Sequence, residues 1–185
     1  MIDDTLLEAE DKMEKALEVA REDFSTIRTG RANAAMFNKL TVEYYGAPTP
    51  LQQLASFQTP EARTILVIPF DKSVMGEIER TLRDSNLGIN PNNDGQVIRV
   101  NLPMLTEERR REYIKLARHK GEEAKLSIRN IRRQAKEEFD RLVKDGEVGE
   151  DEGTRAEKEL EALTKRHVDV VDDLLKHKEA ELLDV

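Results

Sequence analysis

The pattern of apolar and polar positions divides the chain into helical segments at both ends and a different middle part. From Ile2 to about Thr29, apolar residues recur every three or four positions, which predicts one amphipathic helix with a broad core face. We expect this helix to end at Gly30, because glycine readily adopts the left-handed conformation that closes many helices.

Two further long helices are predicted in the second half of the chain. The first begins after Pro103, with Thr106 as its N-cap, and extends to about Lys144. The stretch Asp145–Gly149 is typical of a turn, and another apolar seam follows it to His177. The apolar face of each helix is too broad for one neighbouring helix to cover, so we expect the three helices to pack as an elongated antiparallel bundle.

The middle of the chain has the pattern of a small α/β domain. Alternating residues at 40–45 predict a half-buried strand, and the continuous apolar run at 64–70 predicts a strand covered on both faces. A short helix, a hairpin-type turn and a last strand are predicted at 74–82, 90–95 and 97–102.

The fold class predicted is therefore α+β: a long antiparallel three-helix bundle with an inserted small β/α/β domain. Residues 1–30 and 105–185 form the bundle, and residues 31–104 form the insertion. We expect hinges near 30–32 and 102–104, because only two chain segments join the domains. A rigid elbow is the alternative. The candidate hinge residues are Arg28, Gly30, Arg31, Leu102 and Pro103.

Composition narrows the class of protein. Charged residues make up 37% of the 185 positions and aromatic residues 4%, which favours long thin helices over a thick core. The chain has no Cys, so disulfides, thiolate metal sites and thiol nucleophiles are excluded. No apolar run approaches the roughly 20 residues of a membrane span, and the start of the chain is acidic. We expect a cytoplasmic protein with no membrane partner.

A cationic stripe runs along the second long helix, beside its apolar seam. From Arg109 to Lys136 there are eleven Lys or Arg and three Asp or Glu, a balance of +8, whereas the whole chain carries -8. The stripe consists of Arg111, Lys115, Arg118, Lys125, Arg129, Arg132 and Lys136, with Arg133 adjacent. Such a stripe on an acidic protein favours binding to a polyanion. The alternative is an ordinary solvated flank, but such a flank would alternate acids and bases.

No catalytic arrangement is evident in the chain. It has no glycine-rich phosphate loop, and its acidic clusters lie in segments expected to be wet. His119 with Glu123 and Asp173 with His177 have the spacing of metal ligands, but each pair lacks a third ligand. We expect His167 to pack in the seam, and we predict no metal site and no enzyme activity.

Several segments together resemble one family, the ribosome recycling factors of bacteria, over essentially the whole chain. The strings that carry the resemblance are Arg28-Thr29-Gly30-Arg31-Ala32, Tyr44-Tyr45-Gly46, Thr49-Pro50-Leu51, Asn90-Pro91-Asn92-Asn93-Asp94-Gly95, Leu105-Thr106-Glu107-Glu108-Arg109-Arg110, Gly121-Glu122-Glu123-Ala124-Lys125 and Ile128-Arg129-Asn130-Ile131-Arg132-Arg133. Each string is weak alone, but their order and spacing agree together.

The resemblance implies an L-shaped translation factor that splits post-termination ribosomes into subunits, releasing them from mRNA, with elongation factor G and GTP. It also implies that the bundle binds large-subunit ribosomal RNA and that the GTPase moves the hinged domain. The family's RNA-contacting arginines match Arg110, Arg129 and Arg132. The protein needs no cofactor of its own, because the partner uses the GTP. Arg28 and Arg31 are open to two interpretations, as RNA contacts or as residues that stabilise the hinge.

Two other functions remain as hypotheses from the residues. A coiled-coil adaptor between two proteins would also carry heptads and an acidic surface, but its incomplete seams would self-associate. A three-helix bundle is complete alone, so the recycling-factor hypothesis predicts a monomer. A metal-dependent hydrolase that uses the histidines is the third hypothesis.

Overall fold

The chain folds into two compact units. The structure, a computed structural model, describes residues 1–183. The first unit comprises Met1–Ile27 and the chain from Arg110 onward, and the second comprises Arg28–Arg109. These divisions lie a few residues from the predicted ones, after residue 27 instead of residue 30 and after residue 109 instead of residue 104.

Three long helices build the first unit. They are α1 at Ile2–Ser25, α4 at Glu107–Lys144, whose first turn belongs to the second unit, and α5 at Glu150–Leu183. Their core contains Met13 and Leu17 from α1, Ile128 and Phe139 from α4, and Leu160 from α5. Thr106 caps α4 as predicted, since its hydroxyl oxygen accepts a hydrogen bond of 3.1 Å from the Arg109 N–H.

Helix α1 ends earlier than predicted. The sequence analysis extended it to Gly30, but it ends at Ser25. The Thr26 hydroxyl donates to the Asp23 carbonyl at 2.8 Å, and the Ile27 N–H turns instead to the Phe24 carbonyl at 3.2 Å. Local hydroxyl bonds of this kind compete with the helical pattern and stop the helix before the glycine.

The second unit contains two sheets and two further helices. The hairpin β1 (Thr41–Tyr44) and β2 (Ala47–Pro50) is followed by the short helix α2 (Leu51–Leu54). The strands β3 (Ala55–Glu61), β4 (Thr64–Pro69), β5 (Asn90–Asn93) and β6 (Ile98–Asn101) form an antiparallel sheet in the order β3-β4-β6-β5. Helix α3 spans Met75–Asp84, and short 3-10 turns lie at Ala34–Phe37 and Lys72–Val74. The core includes Phe37, Ile65, Ile78, Leu82 and Ile98.

The structure corrects one strand assignment. Residues 90–95 were predicted as a turn, but Asn90–Asn93 form β5 and the turn to β6 spans Asp94–Val97. Strand β5 lies at the edge of the sheet, where Pro91 is tolerated because one side of an edge strand needs no ladder hydrogen bonds. The Asp94 carboxylate accepts hydrogen bonds from the Val97 and Gln96 N–H groups, and these bonds lower the pKa of Asp94.

None of the helices within residues 1–183 has the length and apolar content needed to cross a lipid bilayer.

Candidate nucleic-acid interface

The predicted cationic stripe lies on α4, directly beside the part of the helix that is buried. Ala117, Gly121, Ile128 and Ala135 of the predicted seam are all buried. Gly121 permits close packing, because a side chain there would meet Leu175 of α5. Burial of the seam fixes the rotation of α4, so the flanking cations lie on the edge that borders α5.

Three stripe residues form ion pairs with carboxylates of α5. Arg118 Nε lies 2.7 Å from Glu179 Oε1, Lys125 contacts Asp172, and Lys136 Nζ lies 3.8 Å from Glu157 Oε1. We call these three pairs the ion-pair ladder. They join two antiparallel helices in the manner of flanking charges in coiled coils.

The ladder changes the interpretation of the stripe. The charges along α4 are mostly of one sign, which predicted a polyanion site. The acidic positions of α5 supply counter-charges for part of this stripe. The hydrogen bond to Asp172 raises the pKa of Lys125, and the hydrogen bond to Asp140 raises the pKa of Lys136, so both lysines are charged at neutral pH. Only 14% of the Lys125 side chain is exposed, so its charge is largely committed to holding α5.

Three arginines on or beside the stripe have no counter-charge among residues 1–183. Within the described part of the chain, Arg129, Arg132 and Arg133 make no ion pair and no side-chain hydrogen bond. Arg129 and Arg133 are exposed, and Arg132 is half-buried at the border with α5. We call Arg129, Arg132 and Arg133 the open arginine group. Guanidinium groups in this state can bind phosphate or a guanine edge in a planar, two-point manner.

Arg110 differs from the open arginine group. It lies seven residues before Ala117, so it continues the line of the apolar seam. The side chain is half-buried, and its Nε is buried without a hydrogen-bond partner among residues 1–183. A buried guanidinium N–H without a partner is unfavourable, so Arg110 retains an unused donor.

Most predicted hinge residues are anchored within the second unit. Arg28 donates a hydrogen bond to the Leu87 carbonyl, and Gly30, with φ of +78°, lies against Leu105. The Leu102 side chain is buried in the core of the second unit, and its N–H donates to the Arg63 carbonyl at 2.7 Å. Arg31 and Pro103 are exposed. Thus Arg28 makes a structural hydrogen bond within the second unit.

The three histidines occupy different environments. His167 is 1% exposed, as predicted for a seam position, and its Nε2 lies 2.8 Å from Glu14 Oε1 of α1. His119 is exposed and pairs with Glu123 at 2.8 Å, and His177 is exposed. In the part of the chain that the structure describes, no three His, Cys, Asp or Glu side chains are grouped as metal ligands.

Comparison with known proteins identifies the family. A family model described as ribosome recycling factor matches residues 20–183. The chain belongs to this family. Ribosome-recycling factors of Kineococcus radiotolerans and Pseudarthrobacter chlorophenolicus are 72% and 68% identical to it over 185 residues, and each alignment covers both chains completely.

Two solved structures of ribosome recycling factors share the fold. One is a solution structure, with a TM-score of 0.83 and 39% identity over 100% of this chain and 98% of the other. The second is the Thermus thermophilus recycling factor, described with Escherichia coli elongation factor G bound to the E. coli post-termination complex. It has a TM-score of 0.71 and 40% identity over 99% of each chain.

Sequence reasoning about this recycling factor missed two features of the interface. The first is the set of α5 carboxylates in the ladder, although the seven-residue spacing of Asp172 and Glu179 matches that of Arg118 and Lys125. The second is Leu126, which is 59% exposed. Leu126 lies three and seven residues before Arg129 and Arg133, so it shares their side of α4. An apolar group therefore adjoins the open arginine group.

Proposed function

We propose that this chain binds large-subunit ribosomal RNA through the open arginine group and, with elongation factor G and GTP, splits the post-termination ribosome into subunits. Membership of the ribosome recycling factor family supports the activity. The structural relative described with elongation factor G on the post-termination complex supports the partner. The same family match disfavours the coiled-coil adaptor.

The observation that carries the RNA contact is that Arg129, Arg132 and Arg133 have no partners among residues 1–183, in a chain of net charge -8. Repulsion among three adjacent cations is relieved when a polyanion approaches, and the acidic remainder of the chain limits binding elsewhere. Structured RNA is recognised largely through its backbone and shape, which suits a rigid helix that presents cations at fixed spacing.

The proposal gives a structural role to the three paired cations of the stripe, Arg118, Lys125 and Lys136. Their side chains hold α5 beside α4, so their charges are partly neutralised by Glu179, Asp172 and Glu157. They contribute to the interface mainly by fixing the position of the open arginine group. The half-buried Arg110 side chain adds a further cation to this interface.

The proposed activity also requires motion between the two units. Residues 28–32 and Leu102 are bonded within the second unit, so bending there would break contacts with Leu87, Ala62 and Arg63. The pivots therefore lie outside these bonded segments, one at Ile27–Arg28, where the units divide, and one between Leu102 and Glu107, before α4 begins. Elongation factor G applies force to the second unit while the first unit, here called the helical unit, stays bound to RNA.

We propose that the protein is not an enzyme and uses no cofactor. The chain lacks a glycine-rich phosphate loop, so hydrolysis of GTP belongs to elongation factor G. Its place of action is the cytoplasm, because its partner is the ribosome.

Arg132→Ala tests the RNA contact. We expect affinity for isolated large subunits to fall about tenfold or more, because one charge-assisted contact of roughly 1.5–3 kcal/mol is lost. The thermal midpoint should stay near that of the original protein, because Arg132 makes no ion pair with residues 1–183. Binding is measured by co-sedimentation, and splitting by light scattering of post-termination ribosomes with elongation factor G and GTP.

Arg118→Ala is the matched control, because it removes the same charge from the same edge of α4 at a residue that is already paired with Glu179. It should weaken large-subunit binding less than Arg132→Ala. Equal losses from the two variants, or unchanged affinity with Arg132→Ala, would contradict the assignment of the open arginine group.

A further inference from the structure

Two pairs of the ion-pair ladder share a seven-residue register. Arg118, Lys125 and Arg132 are spaced seven residues apart on α4, and Glu179, Asp172 and Lys165 are spaced seven apart on α5 in the opposite direction. The first two positions of each series pair across the helices. In antiparallel helices this register brings Lys165 level with Arg132. The next position of this register therefore places two cations level with each other.

Closed ion pairs lie on both sides of this position. Lys125 contacts Asp172 before it, and Lys136 lies 3.8 Å from Glu157 beyond it. Arg132 has no partner among residues 1–183. The Lys165 side chain is 78% exposed, and its one ion pair among the described residues is with Asp169, one turn along its own helix, at 2.8 Å. Such an exposed pair is weak and exchanges readily with other ions.

Two like charges at this position are unfavourable unless an anion lies between them. We propose that Arg132 of α4 and Lys165 of α5 form one phosphate-binding site for the RNA backbone, so that α5 takes part in RNA binding. This inference rests on the proposed function and extends the interface beyond α4.

The neighbouring charges favour RNA over an acidic protein segment. Arg129 and Arg133 lie within one turn of Arg132, so the site is one point on a line of four cations that crosses from α4 to α5. An RNA backbone supplies a regular row of phosphates to such a line, and each neutralised phosphate releases bound counterions. An acidic protein segment would lose more conformational entropy to reach all four groups.

Lys165→Gln tests the site, with Lys176→Gln as the control. Lys176 is exposed, lies eleven residues further on the same side of α5, and makes no ion pair within the described residues. We expect Lys165→Gln to weaken binding to purified large subunits roughly three- to tenfold and to lower the logarithmic salt slope by less than about one, because Arg132 still neutralises the shared phosphate. Lys176→Gln should match the original protein, and Lys165→Arg should retain binding.

The double variant Arg132→Ala, Lys165→Gln tests whether the two cations share one phosphate. A shared phosphate predicts that the double variant loses less affinity than the two single losses combined. Additive losses would mean two separate contacts and would overturn the shared site. Circular dichroism checks that each variant remains folded.

The remaining outcomes separate this inference from the proposed function. Normal binding by Lys165→Gln alongside a loss with Arg132→Ala would overturn the shared site but leave the proposed function intact. Equal losses from the Lys165 and Lys176 variants would indicate an effect of net charge and would also overturn the site. A loss of binding to elongation factor G alone would assign Lys165 to a protein partner. Failure of the original protein to bind large subunits would overturn the proposed function itself.

Discussion

His167 lies buried between α1 and α5, where both ring nitrogens are next to oxygen atoms. Its Nδ1 is 2.7 Å from the Leu163 carbonyl oxygen, and its Nε2 is 2.8 Å from Glu14 Oε1. The contact with Glu14 joins two helices that are distant in the chain. Spacing alone predicted that His167 packs in the seam, but its carboxylate partner depends on the register of α1 against α5.

His167→Leu should destabilise the helical unit by roughly 1–3 kcal/mol, because it removes the hydrogen bonds of a buried ring. For a chain of this size, each kcal/mol lowers the thermal midpoint by about 2–4 °C. His119→Leu is the control, since His119 is exposed on α4. Thermal unfolding followed by helical circular dichroism compares the two. Equal midpoints would mean that the His167 contacts contribute little.

At the candidate interface, too, sequence spacing predicted positions but not partners. Sequence spacing located the cations of α4 correctly, because a seven-residue repeat determines which side of a helix a residue occupies. It did not distinguish Arg118, which is paired with Glu179, from Arg132, which has no partner in residues 1–183. That difference depends on which residues of another helix lie level with each cation.

At the scale of elements, long helices were predicted more accurately than short strands. Thr106 gave the start of α4, because a capping hydroxyl is a local signal. Strand β5 was missed, because Asn and Pro favour turns and only pairing with β6 makes this segment a strand. The predicted end of α1 was wrong, because the hydroxyl groups of Ser25 and Thr26 bond to carbonyls of the last turn and end the helix before Gly30.

The contact between the end of α4 and the start of α5 depends on Gly153. A methyl group at this position would lie 2.7 Å from Val143 Cγ2, which is closer than packed atoms approach. Gly153→Ala should therefore destabilise the helical unit by about 1–3 kcal/mol through overpacking, although alanine favours a helix.

Gly76→Ala in α3 is the comparison for Gly153→Ala. Nothing lies within 4 Å of a methyl group at Gly76, so this change should stabilise the second unit by roughly 0.4–1 kcal/mol. Denaturant unfolding measures both variants. A stabilising Gly153→Ala would show that the two helices separate at no cost.

At the scale of the whole molecule, the proposed activity requires that the two units move against each other. The chain has no Cys, so one cysteine introduced into each unit gives a defined pair for a bifunctional crosslinker. The crosslinked protein should bind large subunits normally, because the open arginine group lies within one unit. It should lose most of its splitting activity with elongation factor G and GTP, measured by light scattering.

The control for crosslinking is the same reagent applied to two cysteines within the second unit. This protein should retain splitting activity. If the protein linked between units also retains splitting activity, rotation between the units is not required, and the pivots at Ile27–Arg28 and between Leu102 and Glu107 play no mechanical role.

The helical unit is assembled from both ends of the chain, and this has a consequence for synthesis. Residues 28–109 are complete while α5 is still being translated, so the second unit can fold first. The apolar side of α1, with Met13 and Leu17, then waits uncovered until α4 and α5 follow. A nascent chain that stalls before α5 would expose this side to chaperones and proteases.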